Sequence, residues 1–141
     1  MNKLNVYLSN LAVLNVKLHN LHWNVTGSMF MPLHNFTESL YDQAFAQYDE
    51  VAEIMKMQGE MPLVKLSDYA KTATIKELDG KDFKADEVLK IIAADIEEMV
   101  KLAKEIRAEA ADHDNFQVAN QFEDYLASYA KNQWFINATL K

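Results

Sequence analysis

Two pairs of ionisable residues, each four positions apart, stand close together in this sequence: His34 with Glu38, and Asp49 with Glu53. At about 100° per residue, His34, Glu38, Tyr41, Phe45, Asp49 and Ala52 fall within roughly 80° of one another around a helix, with Glu53 just beyond. A solvated face does not normally set Tyr41 and Phe45 between charges. A core face does not normally include His34, Glu38 and Asp49. The stripe reads as an interface that carries polar cargo. Each pair can present two ligand atoms to one ion, and imidazole with carboxylate suits iron, manganese or zinc better than calcium.

Distance then constrains the site. Asp49 lies 15 residues beyond His34, which is about 22 Å along a helix. One metal ion cannot bridge that gap. If all four residues serve one site, they come from two chains, the C-terminal half of one helix lying beside the N-terminal half of its mate. A two-fold axis crossing the helix supplies that contact and produces two such sites per dimer. His22, near the end of the preceding helix, can join the His34/Glu38 half. Taken singly, each pair is ordinary helix-surface decoration, and His22 beside Trp23 also reads as a packed aromatic pair. Their joint occurrence on a stripe with aromatics sets metal binding level with that plainer reading. The usual di-iron bundle supplies Glu-x-x-His twice. This chain has no such motif, so a metal site in the middle of one subunit is not expected.

The elements that must position these residues are helices. Leu4, Leu8, Leu11, Leu14, Leu18, Leu21 and Val25 are spaced by threes and fours, a helical stripe expected to end at Gly27. After a short connection, Pro32 suits a first helical turn. A second helix runs from there to Gly59, with Leu33, Phe36, Leu40, Ala44, Val51 and Ile54 on its apolar side. Residues 60–83 contain turn signals and Ser67-Asp68-Tyr69-Ala70, a capping pattern for a short helix. Val88, Ile92, Ile96, Met99, Ala103, Ile106 and Ala110 mark a third long helix, and Phe122, Tyr125, Tyr129, Ile136 and Leu140 a fourth, with Asp112 to Asn115 breaking the pattern between them. The expected fold class is all-α: a four-helix bundle, ferritin-like, with a short extra helix in the long connection between helices two and three. Residues 1–141 read as a single domain.

Composition agrees. Of 141 residues, half are apolar, a quarter are charged, and only three are glycine and two proline. All-β folds need far more turn residues. The absence of cysteine removes disulfide scaffolds, thiol catalysis and Cys-based zinc sites, and fits a cytoplasmic protein. No signal peptide or membrane span is visible. A net charge of −7 disfavours strong DNA binding. Lys3 is the only basic residue ahead of Leu4, and Lys141 the only one after Leu140.

The segment Leu18-His19-Asn20-Leu21-His22-Trp23-Asn24-Val25-Thr26-Gly27, with Phe30, Leu33-His34, Leu40-Tyr41, Asp49-Glu50-Val51-Ala52-Glu53 and Gly59, closely resembles the Dps family of mini-ferritins. The spacing His-x11-His-x3-acid-x10-Asp-x3-Glu, together with the His-Trp dipeptide, carries the resemblance, and Trp134 to Leu140 resembles the family's closing helix. The resemblance implies an iron-storing ferroxidase that oxidises Fe(II) with hydrogen peroxide or dioxygen, two irons per inter-subunit site, inside a hollow dodecamer built from two-fold dimers. It assigns His22, His34 and Glu38 from one subunit, and Asp49 and Glu53 from its two-fold neighbour, as the catalytic and metal-binding residues. Trp23 matches a family tryptophan with a possible electron or radical role; packing at the dimer contact is the equal alternative. One departure is visible: the family usually has Asp where this chain has Glu38. Rival readings are a non-catalytic helical assembly and a zinc or manganese binder. The family's acidic pore is matched poorly, with Asn120 at an expected Asp and Asp112 and Asp114 upstream. His113 reads as a loop or helix-cap residue, the acids Asp95, Glu97, Glu98, Glu105 and Glu109 as a solvated face, and His19 as a surface or interface residue.

Overall fold

The structure is a computed structural model that describes residues 2–141. In chain order it comprises α1 (Lys3–Asn24), β1 (Val25–Thr26), α2 (Phe30–Met57), α3 (Leu66–Thr72), β2 (Phe83–Lys84), α4 (Ala85–Asp112) and α5 (Phe116–Leu140). Four long helices and one short one appear where the apolar periodicity put them. The chain forms two compact units, residues 1–88 and 89–141.

In the first unit α1 and α2 form an antiparallel hairpin. Asn2 caps α1, its side-chain oxygen accepting from the Leu4 N–H at 2.9 Å, and its amide donates to the Glu60 carboxylate beyond the far end of α2. Midway, the Tyr7 hydroxyl donates to Gln47 at 2.6 Å in a buried contact. At the other end His22 meets His34 and Thr37. The partner number falls as the residue number rises, as an antiparallel pair requires. Every residue of the leucine stripe from Leu4 to Leu21 is buried, as are Leu33, Leu40, Ala44, Val51 and Ile54 of α2.

Several boundaries differ from the sequence reading. Helix α1 stops at Asn24 rather than Gly27, because Val25 and Thr26 become extended and pair in parallel with Phe83 and Lys84. This two-residue bridge ties the long connection to the α1–α2 turn, and the Thr26 hydroxyl adds a bond to the Phe83 carbonyl at 3.1 Å. Gly27 instead serves the turn into α2, with φ +101° and its carbonyl accepting from Phe30 N–H. Nothing lies near the position a Cβ would take, so the left-handed backbone is what calls for glycine there. Helix α2 starts at Phe30, two residues before Pro32; the proline still falls in the first turn, where no intrahelical N–H bond is lost. The helix ends at Met57, and Gly59, at φ +82°, completes a Schellman closure in which Glu60 N–H reaches Met55 and Gly59 N–H reaches Lys56. Ser67 does not cap α3; the helix begins one residue earlier and Lys65 stands at its cap position without a side-chain bond. The connection is instead held by fully buried Asn10 of α1, which bonds Thr74 and accepts from Ile75 N–H.

In the second unit the α4 residues Ile92, Ile96, Met99, Ala103, Ile106 and Ala110 are all buried, as are Phe122, Tyr125, Tyr129 and Ile136 of α5. Leu140, expected on that buried face, is 40% exposed because α5 has reached its last residue there. Arg107 and Glu123 form an ion pair at 2.9 Å between the two helices. Their turn repeats the Schellman closure with Asp114 (φ 53°) in the left-handed position, Asn115 N–H bonding Ala110, and the Asn115 side chain then capping α5. No helix among the described residues is long and apolar enough to cross a membrane.

Candidate metal centre

The turn at residues 25–29 folds α2 back on α1 and sets His22 against His34. Their rings stack at 3.6 Å between centroids and 16° between planes. Each ring is locked by the other's backbone: Nδ1 of His22 lies 2.7 Å from the His34 carbonyl, and Nδ1 of His34 lies 2.9 Å from the His22 carbonyl. A carbonyl can only accept, so both Nδ1 atoms carry hydrogen. In the neutral rings both Nε2 atoms are then left with a lone pair, the form in which imidazole binds a metal ion. Thr37, fully buried, supports the pair: its hydroxyl lies 3.1 Å from His22 Nδ1 and donates to the carbonyls of Leu33 (2.8 Å) or His34 (3.0 Å). Phe30 covers the His34 ring, stacked at 5.0 Å. His22 is buried although it is polar, which fits a ring held for a purpose rather than left to solvent.

Glu38 stands one turn beyond His34 and is exposed. Tyr41, one turn further, is half-buried, and its pKa is raised first by burial and then by the charges of Glu38 and Asp42. His19 lies flat over the Tyr41 ring at 3.8 Å and 18°. Trp23 touches His19 at 5.6 Å but is itself 66% exposed.

The second half of the stripe is different. Asp49 and Glu53 are exposed carboxylates one turn apart, and Glu53 has a raised pKa, chiefly from the charge of Asp49, with smaller contributions from desolvation and from Glu50. Helix α2 runs unbroken between the two halves, so the chain cannot fold one onto the other. Among the described residues no group of three or more His, Asp or Glu side chains is placed to hold a metal ion within one chain. The same side of the unit exposes Phe45 (64%) and Val16 (56%) along a groove lined by Leu11, Ala12, Tyr48, Leu66 and Tyr69.

The model of the ferritin-like domain family matches residues 1–141. The DNA protection during starvation protein of Brevibacillus brevis is 34% identical over 140 residues, covering 98% of this chain and 92% of its own length. The chain belongs to the Dps family of ferritin-like proteins. Its ferritin-like fold matches the crystal structure of Helicobacter cinaedi CAIP with a TM-score of 0.96 at 34% identity, covering 99% of this chain and 97% of the other. A Dps protein from Vibrio cholerae O1, described as a member of a broad superfamily of ferritin-like diiron-carboxylate proteins, matches with a TM-score of 0.94 at 26% identity, covering 99% of this chain and 87% of that one.

Elsewhere in this Dps-family chain the secondary candidates take plain places. His113 is exposed and its Nδ1 donates to the Glu109 carbonyl at 2.9 Å, closing the last turn of α4. Glu97, Glu98, Glu105 and Glu109 are exposed and Asp95 is half-buried, with Lys101 and Lys104 interleaved. Asn120, Asp112 and Asp114 are also exposed. The sequence reading missed Thr37, which carried no signal, because a threonine on a core face has no distinguishing pattern.

Proposed function

We propose that this chain is an iron-storage ferroxidase, with residues 1–141 acting as one ferritin-like domain. The observation that carries the reading is the reciprocal His22–His34 pair, whose two Nε2 atoms are prepared as ligands beside Glu38 while Asp49 and Glu53 wait 15 residues along the same helix. An antiparallel two-fold contact between α2 helices brings His22, His34 and Glu38 together with the partner subunit's Asp49 and Glu53. Exposed Phe45 and Val16 then find cover in that contact. The family match and the diiron-carboxylate description of the Vibrio cholerae relative support iron as the substrate.

Nitrogen and carboxylate donors together hold Fe(II) and, through the carboxylates, its harder Fe(III) product. Two Fe(II) ions each give up one electron. One hydrogen peroxide takes both electrons and two protons, its O–O bond breaks, and two waters leave. No hydroxyl radical is released when both electrons pass together. Ferric product moves on to mineral inside a shell of twelve chains of 16.2 kDa each, about 194 kDa in all. Trp23, at the edge of the centre, is placed to intercept stray oxidant.

The test is anaerobic loading with Fe(II), then peroxide at one molecule per two irons, followed by near-ultraviolet absorbance of ferric oxide and light scattering of the shell. Oxidation at that ratio in a particle near the stated mass supports the reading. A stable monomer, or binding of zinc or manganese with no iron oxidation, overturns it. Duplex DNA is not expected to bind the metal-free shell, which carries about −84 formal charges from chains of −7. A gel shift at low ionic strength without divalent metal checks this; tight binding would direct attention to exposed Lys65, Lys71 and Lys76.

A further inference from the structure

We propose that residues 65–76 form a strap that swings away from the α1–α2 hairpin as one unit while the hairpin stays folded, with Asn10 and Tyr48 as its two latches. The inference goes beyond the metal-centre reading and does not depend on it. Polar side chains of α1 and β1 hold the long connection in rising order. Asn2 donates to Glu60, Asn5 accepts from the Leu63 N–H at 3.1 Å, and Asn10 holds Thr74 and Ile75. Asn20 then donates to the carbonyls of Leu78 (3.1 Å) and Asp79 (3.2 Å), and Thr26 reaches Phe83. The connection thus runs parallel to α1 and is tied at both ends, by Asn5 at one and by Asn20 and the Val25–Phe83 bridge at the other.

Between those ends little apolar surface anchors it. Of residues 61–80 only Pro62, Tyr69 and Ile75 are buried, while Val64 is 72% and Leu66 80% exposed. A segment with so few buried side chains opens at a lower free energy than the core it lies on. Two latches hold its middle. Fully buried Asn10 accepts through Oδ1 from the N–H groups of Thr74 (2.8 Å) and Ile75 (3.2 Å), and its Nδ2 donates to the Thr74 hydroxyl at 3.1 Å. From α2, the Tyr48 hydroxyl meets that of Tyr69 at 2.8 Å, and the Tyr69 hydroxyl lies 2.6 Å from the Leu63 carbonyl. A carbonyl can only accept, so Tyr69 donates to Leu63 and Tyr48 donates to Tyr69. Leu66 and Tyr69 are also one wall of the groove whose remaining lining comes from α1 and α2. The swing takes that wall away, and the latches set how often the apolar surface behind it is bared.

The experiment is hydrogen exchange, read by mass spectrometry, on the full assembled protein across a series of low denaturant concentrations. Amides of residues 65–76 should exchange faster than those of the buried stretch of α1, and with a weaker dependence on denaturant, because a local opening exposes less surface than global unfolding. Asn10→Ala should speed exchange in residues 65–76 roughly tenfold or more, the scale of losing a buried hydrogen-bond partner, and leave α2 around His34 unchanged. Tyr48→Phe, which removes only a hydroxyl, should speed it by less, about fivefold. Tryptic cleavage at exposed Lys71 and Lys76 should quicken in the same order. Should Asn10→Ala fail to fold, Tyr48→Phe and the denaturant dependence of the parent decide alone. Exchange of residues 65–76 at the rate and denaturant dependence of buried α1 overturns the proposal, as does a Tyr48→Phe effect spread equally over the helices.

Discussion

The two ends of α2 solve opposite problems. At its N-terminal end two imidazoles are gathered within one chain: His22 and His34 exchange hydrogen bonds through Nδ1, Thr37 backs them, and His19 packs flat on Tyr41. At its C-terminal end two exposed carboxylates stand one turn apart, and the charge of Asp49 raises the pKa of Glu53. One end is organised in advance. The other is a negative charge pair seeking a positive charge, and the first end has none to offer across an unbroken helix. A shared site made from both ends would place prepared neutral donors opposite compressed anions, so that a metal cation relieves the repulsion as it binds.

The largest effect expected is loss of the shared site. His34→Ala and Asp49→Ala should each lose rapid oxidation by more than the roughly 10–100-fold typical of an orienting partner, since each removes a ligand itself. Co-assembled, the two variants should recover part of the rate, because some two-fold contacts then pair an intact imidazole half with an intact carboxylate half. Verified mixed shells that stay inactive would show that the two ends never meet.

A smaller effect should follow from Thr37→Val, which keeps the side chain's shape and removes the hydroxyl behind His22. His22 Nδ1 retains the His34 carbonyl, so the ring should stay in place. Stability should fall by about 1 kcal/mol in thermal or denaturant unfolding, and anaerobic Co(II) affinity by far less than in His34→Ala. A loss as large as that of His34→Ala would mean that the imidazole half is far less self-sufficient than its geometry implies.

The smallest effect concerns the carboxylate end without metal. Glu53 holds its proton more tightly in the folded chain than in an unfolded one, so the pair favours folding at low pH, and that advantage disappears as pH rises through the raised folded pKa. Asp49→Asn removes the opposing charge. The Glu53 titration, followed by carboxyl carbon NMR, should move down toward the ordinary range, with a slight gain in stability at neutral pH. An unmoved titration would show that the two carboxylates do not meet in solution.

Much of this was legible in the residues. The leucine stripe of α1 and the alternation of threes and fours in α4 mark buried faces, and every one of those positions is buried, because helical periodicity is a local property that tertiary contacts only confirm. The same periodicity set His34, Glu38, Asp49 and Glu53 on one side of α2 and put one turn after another between them. Helix ends were less legible. Val25 and Thr26 leave α1 because Phe83 and Lys84, nearly sixty residues away, offer them strand partners, and no local pattern carries that information.

What the sequence alone determined, then, was helix identity, facing and the impossibility of closing the site along one rigid α2. These depend only on rise and turn per residue. The tertiary structure decided the rest: that the two histidine rings lie face to face, that each Nδ1 is occupied by the other's carbonyl, and that His19 packs on Tyr41 while Thr37 stands behind His22. Those facts depend on how α2 folds back at Gly27 and how deeply it packs on α1. Atoms twelve to twenty-two residues apart meet only through that packing, and hydrogen-bond direction, ring stacking and tautomer are properties of the meeting rather than of either helix.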